Sequence, residues 1–373
     1  MIIGIDASHA FKLPRTGVEG VSWQIIQALK KQIPLSVRVI LYCQKELPDD
    51  FGGVPNNWEV KILHWPLKKL WSQLRLAFEL WRFPPDVYFS PGQLLPLFAP
   101  KNSIVYLHDS AFLVYPEAYN FWGRKYLEWM NRLIIKKAKL IITSTEFNKQ
   151  ELIKYYPCYK NIGDKVKVVP LAYDSEKFRN IKYEIRNYEP YIIYVGRLEE
   201  KKNTKRLVEA FGVLKEQLAI NNEQVDDFSN LKLLLVGKNG VGYEEIEKTI
   251  QVSLYKSDIV QPGYVSDKDL PGLIRSAKLL VLPSLYEGFG LPVLEAFACG
   301  VPVVASNIVA LQEVGGEAIE YVDPLEISDI VRGLKKILVN PGLRESMVKK
   351  GGERLGFFDW DKTATKIYGW MVK

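Results

Sequence analysis

Leu279-Leu-Val-Leu-Pro-Ser-Leu-Tyr-Glu-Gly-Phe-Gly-Leu-Pro-Val-Leu-Glu-Ala-Phe-Ala-Cys-Gly-Val-Pro-Val-Val-Ala-Ser306 is the stretch of this 373-residue chain whose reading decides the fold. Residues 278–282 carry a short apolar run that fits a parallel strand covered on both faces. Glu287-Gly288-Phe289-Gly290 reads as a tight turn, with glycines where the backbone bends or lets a ligand approach. Pro292 suits the first turn of a helix, and Gly300 with Pro302 ends that helix about two turns later. Residues 301–305 are a second buried strand, so the unit is strand, glycine turn, short helix, strand.

The helix start near Leu291 offers unpaired backbone N–H groups and a partial positive charge, which suits a phosphate. Glu287 stands just before it, and Glu295 one turn beyond, roughly 6 Å along the axis. Carboxylates on either side of an anion site are suited to accept hydrogen bonds from hydroxyl groups, a sugar on one side and a ribose on the other. That describes a nucleotide-sugar.

The pattern Glu287, seven residues, Glu295, followed by Cys299-Gly-Val-Pro-Val-Val304, resembles the retaining glycosyltransferases of family 4, whose fold is GT-B. The resemblance implies an α/β protein of two facing Rossmann-like doubly wound domains with a deep interdomain cleft. It places an N-terminal acceptor-binding domain at 1–178, a linker at 179–190 and a nucleotide-sugar-binding domain at 191–357. A C-terminal helix, 358–373, is expected to pack back on the first domain.

Length by itself also favours two domains. With 47% hydrophobic and 25% charged residues the composition is that of a globular protein. Cys43, Cys158 and Cys299 are scattered and odd in number, which argues against a disulfide framework and for a reducing compartment. With only three histidines, a structural zinc site is not expected. The opening Met1-Ile-Ile-Gly-Ile-Asp6 reads as a first strand and not a signal peptide. No apolar run approaches the roughly 20 residues that span a bilayer. The protein is expected in the cytoplasm, either soluble or peripheral on the inner face of the cell membrane. A net charge of +7 suggests an anionic partner: a nucleotide donor, anionic lipid or, with no motif to support it, nucleic acid.

In the N-terminal half, the strand Ile2–Ile5 leads into a loop with Thr16-Gly17-Val-Glu19, and further strands are read at 37–42, 59–63, 86–90, 103–107 and 139–143. Gly-x-Gly-x-x-Gly spacing is missing from the first loop, which argues against a Rossmann oxidoreductase. His108-Asp109 follows a strand at the end where α/β sheets gather ligands. By resemblance, His108 contacts the transferred sugar, while Gly17, Asp109, Ser144 and Glu146 line the cleft on the acceptor side. Ser144 and Thr145 are both candidate N-caps.

Leu67, Leu70, Trp71, Leu74, Phe78 and Trp81 recur at helical spacing, with Lys68, Lys69, Arg75 and Arg82 on the other side. Residues 121–139 repeat the theme with Trp122, Tyr126, Trp129 and Leu133. Two readings stand: the stripes pack on the sheet, or they meet an anionic membrane carrying the acceptor.

In the C-terminal half, Arg197 and Lys202 lie in a loop before a helix, where a guanidinium fork and an ammonium can converge on a diphosphate. The resemblance assigns them that role and adds stabilisation of the leaving group. Gly237 and Lys238 lie in a glycine-rich nucleotide loop, and Tyr264 with Val265 would pass beside the base. Glu287, His108, Arg197 and Lys202 form the expected catalytic set. Glu295, Gly288, Phe289, Gly290, Leu291, Tyr264, Val265, Gly237 and Lys238 are the expected donor contacts.

The activity so implied is metal-independent, retaining transfer of a hexose of mannose or glucose type from a GDP- or UDP-linked donor. The acceptor is a hydroxyl of a glycan or lipid-linked sugar, in cell-surface polysaccharide or glycolipid synthesis. No metal and no further cofactor is expected. A non-catalytic nucleotide-sugar-binding subunit of the same fold is the alternative.

Overall fold

The computed structural model describes residues 1–373 apart from 16, 68–69, 160, 180–187, 189 and 221–227. Lys68, Lys69 and most of the linker read at 179–190 lie outside the described residues.

The chain divides into two compact units. The first comprises Met1–Val114, Asn120–Leu171 and Asp359–Lys373, and the second Tyr115–Tyr119 and Ala172–Phe358. The first contains β1 (Ile2–Asp6), β2 (Arg38–Cys43), β3 (Trp58–Ile62), β4 (Val87–Ser90), β5 (Ser103–Tyr106), β6 (Leu140–Thr143) and β7 (Val166–Val168). The second contains β8 (Tyr191–Val195), β9 (Lys232–Val236), β10 (Ile259–Gly263), β11 (Leu279–Leu282), β12 (Val303–Ser306) and β13 (Ile319–Val322).

All pairings are parallel, in the orders β3-β2-β1-β4-β5-β6-β7 and β10-β9-β8-β11-β12-β13. Parallel strands covered by helices on both faces must be apolar throughout, and β4, β11 and β12 are buried at every position. In each sheet the order reverses direction at one place, between β1 and β4 and between β8 and β11. Connections leave on opposite faces there, which opens a crevice at the carboxyl ends of those strands.

The first unit ends, at its main break, at Leu171 rather than at 178. The helix Ser175–Arg179 contacts the helix Leu291–Ala298, and Lys177 pairs with Asp267 at 2.6 Å, so this segment packs with the second unit. The last helix, Trp360–Met371, lies in the first unit against Val18–Gln32. Thr363 Oγ1 donates to the Pro170 carbonyl (2.9 Å), and Thr365 Oγ1 to Gln32 Oε1 (3.3 Å).

The aromatic stripes do not pack on the sheet. Residues 72–82 form one wide π turn, Ser72–Leu76, and a short helix, Ala77–Arg82. The face that enters the core is Gln73, Leu76, Ala77, Glu79 and Leu80, while Leu74, Phe78 and Trp81 face outward. Trp71 alone of that stripe is buried, its indole N–H given to the Leu63 carbonyl at 2.8 Å. Glu79 is tolerated inside because Lys61 and Arg75 meet it at 2.6 and 3.0 Å: burial, the largest single influence, raises the pKa of its carboxyl, but the two cations together outweigh it and hold it below the usual range. The helix Phe121–Lys137 likewise buries Met130, Asn131, Ile134 and Ile135 and exposes Trp122, Tyr126 and Trp129.

Candidate functional site

In the second unit the loops after β8, β9, β10 and β11 emerge at one end of adjacent strands. The β8 and β9 loops approach so closely that a Cβ on Gly237 would sit 1.8 Å from the Gly196 carbonyl oxygen. Gly237 N–H donates to the Gly263 carbonyl (2.9 Å), which ties in the β10 loop, and Lys238 Nζ lies 5.0 Å from the centroid of the exposed Tyr264 ring. Lys238 and Tyr264 are thus neighbours, and Val265 is half-buried beside Tyr264.

The β11 loop carries the central carboxylate. Glu287 is buried, and its Oε1 accepts from Lys202 Nζ at 2.7 Å and from Ser284 Oγ at 2.8 Å. Both contacts fall on one oxygen, leaving Oε2 to serve a ligand hydroxyl. Asn203 holds the loop: it takes a left-handed conformation (φ 59°), and its Nδ2 donates to the carbonyls of Pro283 (3.0 Å) and Pro324 (2.6 Å). The Leu285 N–H donates to the Lys201 carbonyl (2.9 Å), so the segments bearing Lys202 and Glu287 are joined by backbone as well. Arg197 is exposed in the same loop system, its carbonyl accepting from the buried Tyr194 hydroxyl at 2.7 Å.

Gly288-Phe289-Gly290 then turns the chain into the Leu291–Ala298 helix. Gly290 has φ 96°, and a Cβ there would meet Leu311 Cδ2 at 2.5 Å, so only glycine fits. Phe289 is buried edge-on against Phe358 (5.8 Å); its ring anchors the loop, and only its backbone remains for a ligand. Pro292 sits in the first turn, as the sequence implied, with Leu291 half-buried at the start.

Glu295, one turn along, is half-buried, and its carboxyl titrates near 7 instead of 4.5. Burial is the main cause; Lys177 opposes it, and Asp267 and Asp174 add to it.

In the first unit the loops after β1, β4, β5 and β6 likewise share one end of the sheet. Gly17 (φ 51°) caps the start of Val18–Gln32. His108 is buried, its ring stacked on Tyr106 (5.0 Å) and its Nε2 2.8 Å from the Pro91 carbonyl. A carbonyl only accepts, so Nε2 carries the proton, and burial lowers the pKa of the ring, favouring the neutral form. Asp109 Oδ1 accepts from the Ala111 N–H (3.0 Å), capping a short helix. Ser144 Oγ accepts from Asn148 Nδ2 (2.9 Å), whereas Thr145 is the residue that caps Glu146–Tyr155. Glu146 is exposed and pairs with Lys149 at 3.2 Å.

The family model for glycosyl transferases group 1 matches residues 175–354. The O-antigen chain mannosyltransferase B of Escherichia coli is 29% identical to this chain, with 97% of each covered. The chain is thus similar to the group 1 glycosyl transferases over residues 175–354 and to a mannosyltransferase over nearly its whole length. It is also 27% identical over 71% of its length to the serotype-specific mannosyltransferase WbdA of Escherichia coli, of which it spans 32%. The Anabaena HepE structure in complex with UDP-glucose superposes with a TM-score of 0.72 at 16% identity, covering 99% of this chain and 98% of that one. The two Rossmann-like sheets are accordingly those of the GT-B fold.

Three residues that sequence reasoning passed over take part in these loops. Ser284, three before Glu287, is a polar residue at a strand end. His9 is half-buried near His108, against Gly92; loss of solvent, with Lys12 and His108 adding, lowers its pKa to about 4. Tyr115, whose hydroxyl reaches the Leu285 carbonyl (3.4 Å) and whose ring meets Tyr286 (6.0 Å), had no local signal.

Proposed function

We propose that this protein is a glycosyltransferase that moves a hexose from a nucleoside-diphosphate sugar to a hydroxyl of a glycan or lipid-linked sugar with retention of anomeric configuration. The observation that carries the reading is the Lys202–Glu287–Ser284 cluster beside the Gly290–Leu291 helix start, at the switch point of the second sheet. A cation, the positive end of a helix and a carboxylate with one uncommitted oxygen match the pyrophosphate and the sugar hydroxyls of such a donor. Glu295 takes the ribose hydroxyls, and the Gly237–Lys238 and Tyr264–Val265 segments take the base.

The bond between the anomeric carbon and the diphosphate oxygen breaks, and its electrons leave with the diphosphate. Lys202, Arg197 and the helix start neutralise the charge that develops. The acceptor hydroxyl attacks from the face the diphosphate vacates, and its proton passes to the departing phosphate oxygen. His108 is neutral with Nε2–H engaged, which leaves Nδ1 as a hydrogen-bond acceptor. In this reading protein cations, and no metal, carry the leaving-group charge. Mannose is the sugar favoured by the mannosyltransferase relatives, and hence a GDP-linked donor ahead of the UDP-glucose held by HepE.

The test is release of nucleoside diphosphate from GDP-mannose, UDP-glucose and ADP-glucose, with product anomers read by NMR. Inversion of configuration would overturn the retaining reading. Full turnover by both Glu287→Ala and Lys202→Ala would overturn the site.

A further inference from the structure

Seven of the eight exposed Phe and Trp side chains among the described residues fall between residues 78 and 129: Phe78, Trp81, Phe83, Phe98, Phe121, Trp122 and Trp129. All but Phe98 lie on two neighbouring stretches of the first unit, residues 74–83 and the helix Phe121–Lys137. Gln73, which gives its Nε2 to the Leu95 carbonyl (3.2 Å), also meets the Tyr126 hydroxyl, so the 72–82 segment and the Phe121–Lys137 helix lie side by side. The rings pair with one another: Phe78 with Trp81 at 5.9 Å, Phe121 with Trp122 at 5.3 Å, and Tyr126 with Trp129 at 5.7 Å.

Cations are interleaved with them. On the helix, Trp122, Lys125, Tyr126, Trp129, Arg132 and Lys136 recur at i, i+3, i+4 and i+7, and all are exposed. Residues 121–137 hold five Lys or Arg against the single acid Glu128, which Arg124 and Lys125 already engage. In 72–82 the only acid, Glu79, is buried and paired.

Solvent-facing tryptophans are costly unless something covers them, and a protein partner's core would disfavour the cations among them. Rings with an apolar body and a polar tip, set among lysines and arginines, match the headgroup layer of an anionic bilayer. No helix among the described residues is long and apolar enough to cross a membrane, so the contact is with the surface. We infer that the aromatic and basic face formed by residues 74–83 and the Phe121–Lys137 helix docks this protein on an anionic lipid bilayer. The inference stands apart from the donor chemistry and survives its failure.

The full chain is sedimented with vesicles of phosphatidylcholine, with and without about a third of phosphatidylglycerol. The expected result is binding to the anionic vesicles at low salt and its loss at high salt. Each cation removed weakens binding about fivefold, so Arg82→Glu with Lys125→Glu lowers it at least about twentyfold. Trp81→Ser with Trp122→Ser lowers it by a similar factor, with far-UV circular dichroism unchanged. On the wild type, lipids brominated near the headgroup quench the exposed tryptophans. Failure to bind, equal binding to neutral vesicles, or absence of quenching overturns the inference. So does light scattering that shows a dimer which the tryptophan variants abolish, because the face would then be covered by a second copy.

Discussion

Glu295→Gln separates the electrostatic reading of the Leu291–Ala298 helix from a merely structural one. The wild-type carboxyl titrates near 7 in the folded protein and near 4.5 unfolded. The folded state therefore binds the proton more tightly, and stability falls as pH rises from about 4.5 to 7. Linkage at these two values gives a loss of ~0.8 kcal/mol at pH 5 and ~3.3 kcal/mol at pH 8, a widening of ~2.5 kcal/mol. Partial exposure reduces this to ~1–2.5 kcal/mol. Glutamine does not titrate, so the variant gains on the wild type by that amount between pH 5 and pH 8.

The choice of probe follows from the sequence. All nine tryptophans, from Trp23 to Trp370, lie in the first unit and none in Ala172–Phe358. Urea unfolding should therefore be followed by far-UV circular dichroism and tyrosine signals, with tryptophan fluorescence as the control for the first unit. A rise of roughly 0.5–1 M in the second unit's urea midpoint at pH 8, nearly absent at pH 5, is the expected result. A variant no more stable than the wild type at pH 8, or an advantage independent of pH, would refute the argument. His9 also destabilises on acidification, as its folded value near 4 lies below 6.5, but it is common to both proteins and cancels in the difference.

Donor binding should carry the same signature. Wild-type affinity weakens as pH falls below about 7 and Glu295 protonates, and calorimetry of Glu295→Gln should show weaker binding without that acid limb. Lys202→Ala and Glu287→Ala should each lower turnover about 10²–10³-fold, measured by nucleotide release with folding checked by circular dichroism. Gly237→Ala drives a methyl into the Gly196 carbonyl and should destabilise the second unit by about 2–4 kcal/mol, read as a lower urea midpoint. Asn203→Ala frees the Pro283 and Pro324 carbonyls together and should cost about 2 kcal/mol while raising the donor KM, seen in parallel unfolding and kinetic assays.

The doubly wound sheets were legible because buried parallel strands leave uninterrupted apolar runs, and Leu279–Leu282 and Val303–Ser306 stand where the sequence placed them. Glu287 and Lys202 were legible as separate residues of suitable chemistry; their mutual contact, 85 residues apart, was not. The aromatic stripes misled in one of their two readings because periodicity shows that a helix has two faces without saying which one the core takes. For Ala77–Arg82 the core took the small and aliphatic face, with a neutralised glutamate, and left the tryptophan outside. The segment 115–119 was invisible for a different reason: its partners, Leu285 and Tyr286 for Tyr115 and Lys201 for Tyr119, are set by tertiary approach alone.

The closing of the first sheet's helical cover by Trp360–Met371 bears on how the chain is made. Val21, Ile25, Ile26 and Leu29 are buried on a helix whose neighbour, bearing Ala364, Ile367 and Met371, is translated more than 300 residues later. On the ribosome the Ala172–Phe358 body can complete itself first, while the portion synthesised earliest waits for the final dozen residues. Nascent chains stalled before residue 360 should thus hold a finished second half and an amino-terminal half still open to proteases, the reverse of the usual vectorial order.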